Sequence, residues 1–256
     1  MGFFDFLKVK RKGNEETVEV KTMSSNYKPV IEVIPSDNSK TFGGTVTDIE
    51  GNVYSTVKIG RQIWTVENLK TTKYNDGTLI NSFPDAAYCW YNKNIDNKEK
   101  YGALYNWFAV STRKLAPEGW HVPSNIEWTE LAEYLIANGY NWNGKKEGNH
   151  IAKALAAISD WQIDHWSAHS PDCGNIGENI SRNSSGFSAL PGGRNKVGVN
   201  FDGIGEYGFW WSSTEDDSST GIQRAYYRYL NYKSSGLYSE SSSKENLFSI
   251  RLVRDN

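Results

Sequence analysis

Apolar residues recur along this chain in several rhythms, and each rhythm predicts its own kind of element. Val53, Val57, Ile59, Ile63, Trp64 and Val66 lie on either side of Gly60-Arg61-Gln62, so residues 53–66 are expected to form a β-hairpin. Over 101–112, Leu104, Trp107, Phe108 and Val110 stand at helical spacing, which predicts a helix. A second helix starts at Ser124. Its hydroxyl and the Glu127 carboxylate form a capping box, each satisfying an amide that the first turn leaves unpaired. Trp128, Leu131, Tyr134 and Leu135 then make the buried stripe, and Gly139 closes the helix. A further short helix is expected within 150–158. Beyond Gly186 the pattern turns to strands and loops, with strands expected at 187–190, 209–211, 224–232 and 247–253.

The first 41 residues follow a different plan. Phe3, Phe4, Phe6 and Leu7 are apolar, Lys8, Lys10, Arg11 and Lys12 are basic, and a polar stretch follows. This reads as a short amphipathic anchor or packing element with a linker, and as the part of the chain open to membrane association. Gly2 does not make a myristoylation signal, because Phe6 stands where Ser or Thr is needed. No apolar run approaches the roughly 20 residues that span a bilayer, and no secretory leader is recognised. Residues 42–256 are expected to form the globular domain.

At 256 residues the chain can bury one sizeable core. A net charge of −2 argues against nucleic acid as the partner, since phosphate binding needs a concentrated basic face. Aromatic residues at 14%, ten of them Trp, suit a loop-rich α+β domain better than a helical bundle. Cys89 and Cys173 form no Cys-x-x-Cys, and His121, His150, His165 and His169 show no zinc spacing, so no cofactor is expected. No nucleophile elbow, phosphate loop or His-Glu-x-x-His occurs. His121, beside Trp120, reads as a packed, hydrogen-bonded ring, and Gly192-Gly193-Arg194 as a structural turn.

The most informative tract spans 212–246, rich in Tyr and Ser and held between the stiff segments 207–211 and 247–254. Tyr offers rigid contact area with a polar tip, and Ser offers adaptable hydrogen bonds, the pairing favoured in binding loops. Alternate strand residues point to opposite faces. On that basis Arg228, Leu230, Phe248, Ile250 and Leu252 would hold the core. Tyr227, Tyr229, Asn231, Tyr232, Ser234, Ser235, Tyr238, Glu240, Ser241 and Ser242 would face a ligand, with Asp216 and Asp217 in a neighbouring loop.

Several segments together resemble a known family. Val46-Thr-Asp-Ile-Glu-Gly-Asn-Val-Tyr54, Trp64-Thr-Val-Glu-Asn-Leu-Lys70, Tyr101-Gly-Ala-Leu-Tyr-Asn-Trp107, Gly119-Trp-His-Val-Pro-Ser124, Gly186-Phe-Ser-Ala-Leu-Pro-Gly-Gly193 and Trp210-Trp-Ser-Ser-Thr-Glu215 look like the Fibrobacter succinogenes major paralogous domain over about residues 45–254. The start of the second helix (Trp120, Pro123, Ser124, Glu127, Trp128) also resembles formylglycine-generating-enzyme-type domains. The resemblance implies an α+β fold of the C-type-lectin-like type, with two main helices packed on mixed, mostly antiparallel β-structure. Trp210, Trp211, Arg228 and Arg251 would serve its frame. Family members commonly carry cysteines where this chain has Ala116 and Leu252, which suits a reducing compartment, cytoplasmic or phage-associated. The tract at about 210–254 is similar to the variable region of diversity-generating retroelement proteins.

The expected function is therefore non-enzymatic binding of a protein or glycan ligand through the C-terminal face. One alternative is a formylglycine-generating-type oxidase, which by resemblance needs a close cysteine pair in the C-terminal half, where Cys173 stands alone. Another is a calcium-dependent lectin; its Glu-Pro-Asn and related signatures are missing, although Asp216-Asp217, or Asp202 with Glu206, could ligate a structural calcium ion. Nothing in the sequence indicates an oligomeric state.

Overall fold

The computed structural model describes residues 6–12, 15–21, 42–81, 87–162, 182–197, 200–218, 221 and 223–255. The chain divides into two compact units, 1–40 and 41–256. In the first, strands β1 (Phe6–Lys12) and β2 (Glu15–Lys21) pair antiparallel. The register sets Lys8 opposite Glu19, Arg11 opposite Glu16 and Lys12 opposite Glu15. The apolar-basic run is thus part of a hairpin; Phe3 and Phe4 lie outside the described residues.

The larger unit carries, in chain order, β3 (Phe42–Thr47), β4 (Val53–Ile59), β5 (Gln62–Thr65), β6 (Tyr88–Cys89), α1 (Lys98–Tyr101), β7 (Leu104–Asn106) and α2 (Trp107–Ser111). Then come β8 (Trp120–His121), α3 (Asn125–Ala137), α4 (Ala152–Leu155), β9 (Gly192–Lys196), β10 (Asn200–Ile204) and β11 (Tyr207–Asp216). The last strands are β12 (Arg224–Asn231), β13 (Tyr238–Ser243), β14 (Leu247–Phe248) and β15 (Val253–Arg254). One sheet runs β3-β4-β5-β15-β8 and the other β13-β12-β11-β9-β14-β7-β6, with β10 added to β9. The architecture is mixed α+β, dominated by mostly antiparallel strands with a few short helices; β11 and β9 pair parallel, Gly208 to Gly193.

The hairpin at 53–66 forms as its pattern predicts, with Ile59 opposite Gln62 and a two-residue turn in which Gly60 takes φ 62°. The capping box is present: Ser124 N donates to Glu127 Oε2 at 2.8 Å, and the Ser124 hydroxyl accepts from Glu127 N. Trp128, Leu131 and Leu135 are fully buried. Tyr134 is not part of that stripe. It is 37% exposed, its ring lying against Gly60 at the hairpin turn, at the rim of the core.

Other expectations change on pairing. The helix expected over 101–112 is reduced to α2, because Leu104–Asn106 is taken into the sheet between β14 and β6. Segment 187–190 forms no strand and contributes an isolated bridge from Ala189 to Ala156. Segment 247–253 divides into β14 and β15, which belong to different sheets. Gly192-Gly193-Arg194 starts strand β9 instead of making a turn.

Trp210 and Trp211 explain why the larger sheet is covered on both sides. Neighbouring residues of a strand point to opposite faces. Trp210 enters one cluster with Trp64, Trp128 and Phe187, where the Trp64 and Trp128 ring centroids are 4.7 Å apart. Trp211 enters a second with Tyr105, Phe209 and Phe248, 4.3 Å from the Phe248 ring. Aromatic pairs of this kind contribute about 0.5–1.5 kcal/mol each beyond the area they bury. Ala116 and Leu252, which stand where the resemblance led cysteines to be expected, both pack in this second cluster.

Two buried arginines tie distant segments together. Arg251 has no exposed surface and lies over the Phe187 ring at 4.7 Å. Its guanidinium donates to the carbonyls of Thr65 at 2.8 Å and of Phe187 and Ser188 at 2.9 Å. Burial holds its pKa down to about 9. Arg228 donates to Asn125 Oδ1 at 2.5 Å, to the Asn125 carbonyl at 3.1 Å and to Thr129 Oγ1 at 3.0 Å, fastening β12 to the first turn of α3.

Candidate ligand-binding face

Strands β11, β12 and β13 bring the candidate residues together by register. Phe209 faces Tyr229, which faces Tyr238; on the next row Trp211 faces Tyr227, which faces Glu240. All six side chains project to one side, and Ser242, opposite Ala225, continues that side along β13. The rings form a graded surface. Trp211 and Phe209 are buried, Tyr227 is buried at 6% exposure, Tyr229 and Tyr238 are half-buried, and Glu240 is exposed.

Glu240 organises the tips of two rings. Tyr227 donates its phenol to Oε2 at 2.9 Å and Tyr229 donates to Oε1 at 3.0 Å. Burial first, and then the Glu240 carboxylate, raise the Tyr229 phenol to about 12; the same two causes raise Tyr227. Both phenols therefore stay protonated and act as donors across the ordinary pH range. The Tyr229 and Tyr238 centroids lie 5.3 Å apart, so the row ends in a pair of rings at the edge strand.

Two neighbours that the sequence reading did not single out complete the face. Tyr207 stacks on Phe209 at 5.4 Å with an interplanar angle of 10°. Arg194, on β9, places its guanidinium 4.6 Å from the Phe209 centroid and donates Nε to Asp202 Oδ1 at 2.8 Å. The signal for Tyr207 was its alternation with Phe209 and Trp211. Arg194 had no comparable signal, because its segment read as a turn.

The remaining candidates lie elsewhere. Tyr232 and Ser235, expected to face a ligand, are buried. Tyr232 belongs to the first cluster, and the Ser235 hydroxyl lies 2.8 Å from His150 Nδ1, where the chain beyond β12 folds back over the Trp210 side. Asn231 and Ser234 shape the same bend: Asn231 Oδ1 accepts from Lys233 N at 2.9 Å and its carbonyl accepts from Ser234 N. Ser241 is on the opposite side of β13, accepting from Arg224 Nε at 3.0 Å. Asp216 is buried, contrary to expectation, and takes the Ser218 amide and hydroxyl at 3.1 and 2.6 Å; Asp217 is exposed beside it. Tyr227 also departs from expectation. Its ring packs 4.9 Å from Phe248 because this side of the sheet has a core of its own.

Among the described residues, no group of three or more His, Cys, Asp or Glu is placed to hold a metal ion. Asp202, one of the oxygen donors considered for calcium, is engaged by Arg194. Cys173, His165 and His169 lie outside the described residues. His121 stands between two carboxylates, with Nε2 2.7 Å from Glu127 Oε1 and Nδ1 2.5 Å from Asp255 Oδ1. Trp120 and Pro123 position that corner: Trp120 pairs with Arg254, and the Pro123 carbonyl accepts from Ser213 N at 2.9 Å. No helix among the described residues is long and apolar enough to cross a membrane.

The geometry thus defines a strand-dominated α+β domain with a tyrosine-bearing sheet face. The family model of the Fibrobacter succinogenes major domain matches residues 57–254, and the chain belongs to that family. No curated protein and no solved structure matches it.

Proposed function

We propose that this protein is a non-enzymatic binding module of C-type-lectin-like type, which captures a protein ligand on the face formed by Tyr207, Tyr229, Tyr238 and Glu240. The observation that carries this reading is the graded exposure of two adjacent rows, buried at Phe209 and Trp211, half-buried at Tyr238 and exposed at Glu240. Rigid rings with polar tips give contact area at small entropic cost, and the buried end keeps them in place. The edge position of β13 also suits a segment whose side chains are exchanged, as in a retroelement-diversified region. Tyr238, Glu240 and Ser242 can vary toward the ligand while Ala225 and Phe248 hold the frame.

Selection of a displayed random-peptide library on the full chain tests this reading. Enriched peptides should bind the purified protein and lose affinity for the Tyr229→Ser/Tyr238→Ser double variant, which should keep a cooperative unfolding transition. Failure to enrich any peptide, or equal binding to the double variant, would refute it.

A further inference from the structure

The charge on this face specifies what its ligand presents. Glu240 is exposed and, among the described residues, forms no ion pair; the phenols of Tyr227 and Tyr229 donate to its carboxylate. Those bonds fix the carboxylate beside the Tyr229 and Tyr238 rings, whose centroids are 5.3 Å apart. A carboxylate accepts up to about four hydrogen bonds, so two phenols leave acceptor capacity facing water. Aromatic faces attract cations through their negative π surface. A short distance along the same face, Phe209 already carries a cation of the protein's own, the Arg194 guanidinium at 4.6 Å, paired with the Asp202 carboxylate. Tyr229, Tyr238 and Glu240 repeat that arrangement of rings and carboxylate, and among the described residues no Lys or Arg forms an ion pair with this carboxylate.

Building on the binding role above, we infer that Glu240 with the Tyr229 and Tyr238 rings is a recognition site for a cationic side chain, the ammonium of Lys or the guanidinium of Arg, presented by a protein partner. The carboxylate supplies charge-assisted acceptors, and the aliphatic stem lies across the solvent side of the two adjoining rings. Tyr227 acts as a positioning residue, because its buried ring holds the phenol that orients Oε2. An apolar or acidic side chain gains nothing from this arrangement and leaves the remaining acceptor positions of the carboxylate desolvated without a donor.

The test uses the full chain with tyrosine rings isotopically labelled for NMR. N-acetyl-lysine methylamide, its arginine and norleucine counterparts, and methyl glucoside are titrated in turn. The lysine or arginine amide should shift the Tyr229 and Tyr238 ring signals, with the norleucine amide at least about tenfold weaker, the scale of a charge-assisted contact together with a cation–π contact. Glu240→Gln keeps acceptor and donor groups for the two phenols but removes the charge. It should abolish the preference while leaving the unfolding midpoint nearly unchanged.

Equal shifts from the norleucine amide, or shifts from the glucoside alone, would overturn the cation assignment and leave the binding role standing. A cation response that persists in Glu240→Gln, or no response to any probe, would likewise overturn it. The peptide-library selection reports separately on the binding role.

Discussion

Arg251 Nε donates a 2.7 Å hydrogen bond to Asn68 Oδ1, and Trp210 Nε1 donates to the same oxygen at 2.9 Å. The Asn68 amide in turn donates to the Tyr101 carbonyl at 2.8 Å. One small side chain thereby joins four distant parts of the chain in a buried place. Asn68→Ala would strand the Trp210 indole N–H and one guanidinium N–H without water. Leaving such buried groups unpaired costs about 1–3 kcal/mol each, more for charged groups. The variant should lose roughly 3–5 kcal/mol, read as a lowered urea midpoint with an unchanged slope.

Tyr227 and Tyr238 should separate sharply in a stability assay. Tyr227→Ala removes a ring packed on Phe209, Trp211 and Phe248 and should cost about 3–5 kcal/mol. Tyr227→Phe keeps the ring and loses one bond to Glu240, so about 0.5–1.5 kcal/mol is expected. Tyr238→Ala, at the half-exposed end of the row, should stay below about 1 kcal/mol. Equal losses for the two alanine variants would contradict the graded face.

His121 gives the domain a pH signature. The bond to Glu127, helped by Asp255, raises the His121 pKa above its ordinary 6.5 despite the opposing effect of burial. Its contribution is therefore complete below 6.5 and is lost as pH rises through the raised folded value. For Glu127, burial raises the pKa, but the bonds to His121 and Ser124 outweigh it and the net value falls below 4.5. That contribution is complete above 4.5 and is lost as pH falls through the lowered value. The pair should thus stabilise most between about 4.5 and 6.5. Urea midpoints of wild type and His121→Ala should differ more at about pH 5.5 than at about pH 9. A difference independent of pH would rule out the ion pair.

Gly208 is a packing requirement of the sheet. A Cβ at this position would stand 2.2 Å from Trp210 Cη2 and 2.8 Å from the Leu190 carbonyl oxygen. Both neighbours are held in the core, so Gly208→Ala should cost more than about 3 kcal/mol through forced displacement of the indole. Near-normal thermal stability of this variant would show that Trp210 has room to move.

Local chemistry was the legible part of this fold. The Gly60-Arg61 hairpin and the Ser124–Glu127 capping box depend on residues within a few positions, and both formed as their patterns indicate. Leu104–Asn106 was misread because short apolar spacing does not separate strand from helix, and the deciding partners were Leu247 and Phe248, far along the chain. Within the Tyr/Ser tract the strand at 224–231 was legible, but β13, which carries Tyr238 and Glu240, was not, and alternation alone does not say how many sides of a sheet are covered. With a core on each side, Tyr227 and Tyr232 both went inward, on opposite sides. Arg194 joined the candidate face through pairing of β9 with β10 and β11, a contact that no local motif announces.

Val253 sits between Trp64 on β5 and His121 on β8, so two strands far apart in the chain are joined through a third that follows both. A nascent chain that has not reached Val253 holds β5 and β8 with bare facing edges. Folding intermediates in which Val253 has not yet docked should therefore expose unpaired strand edges, which makes this domain a natural client for chaperones that shield open sheet edges.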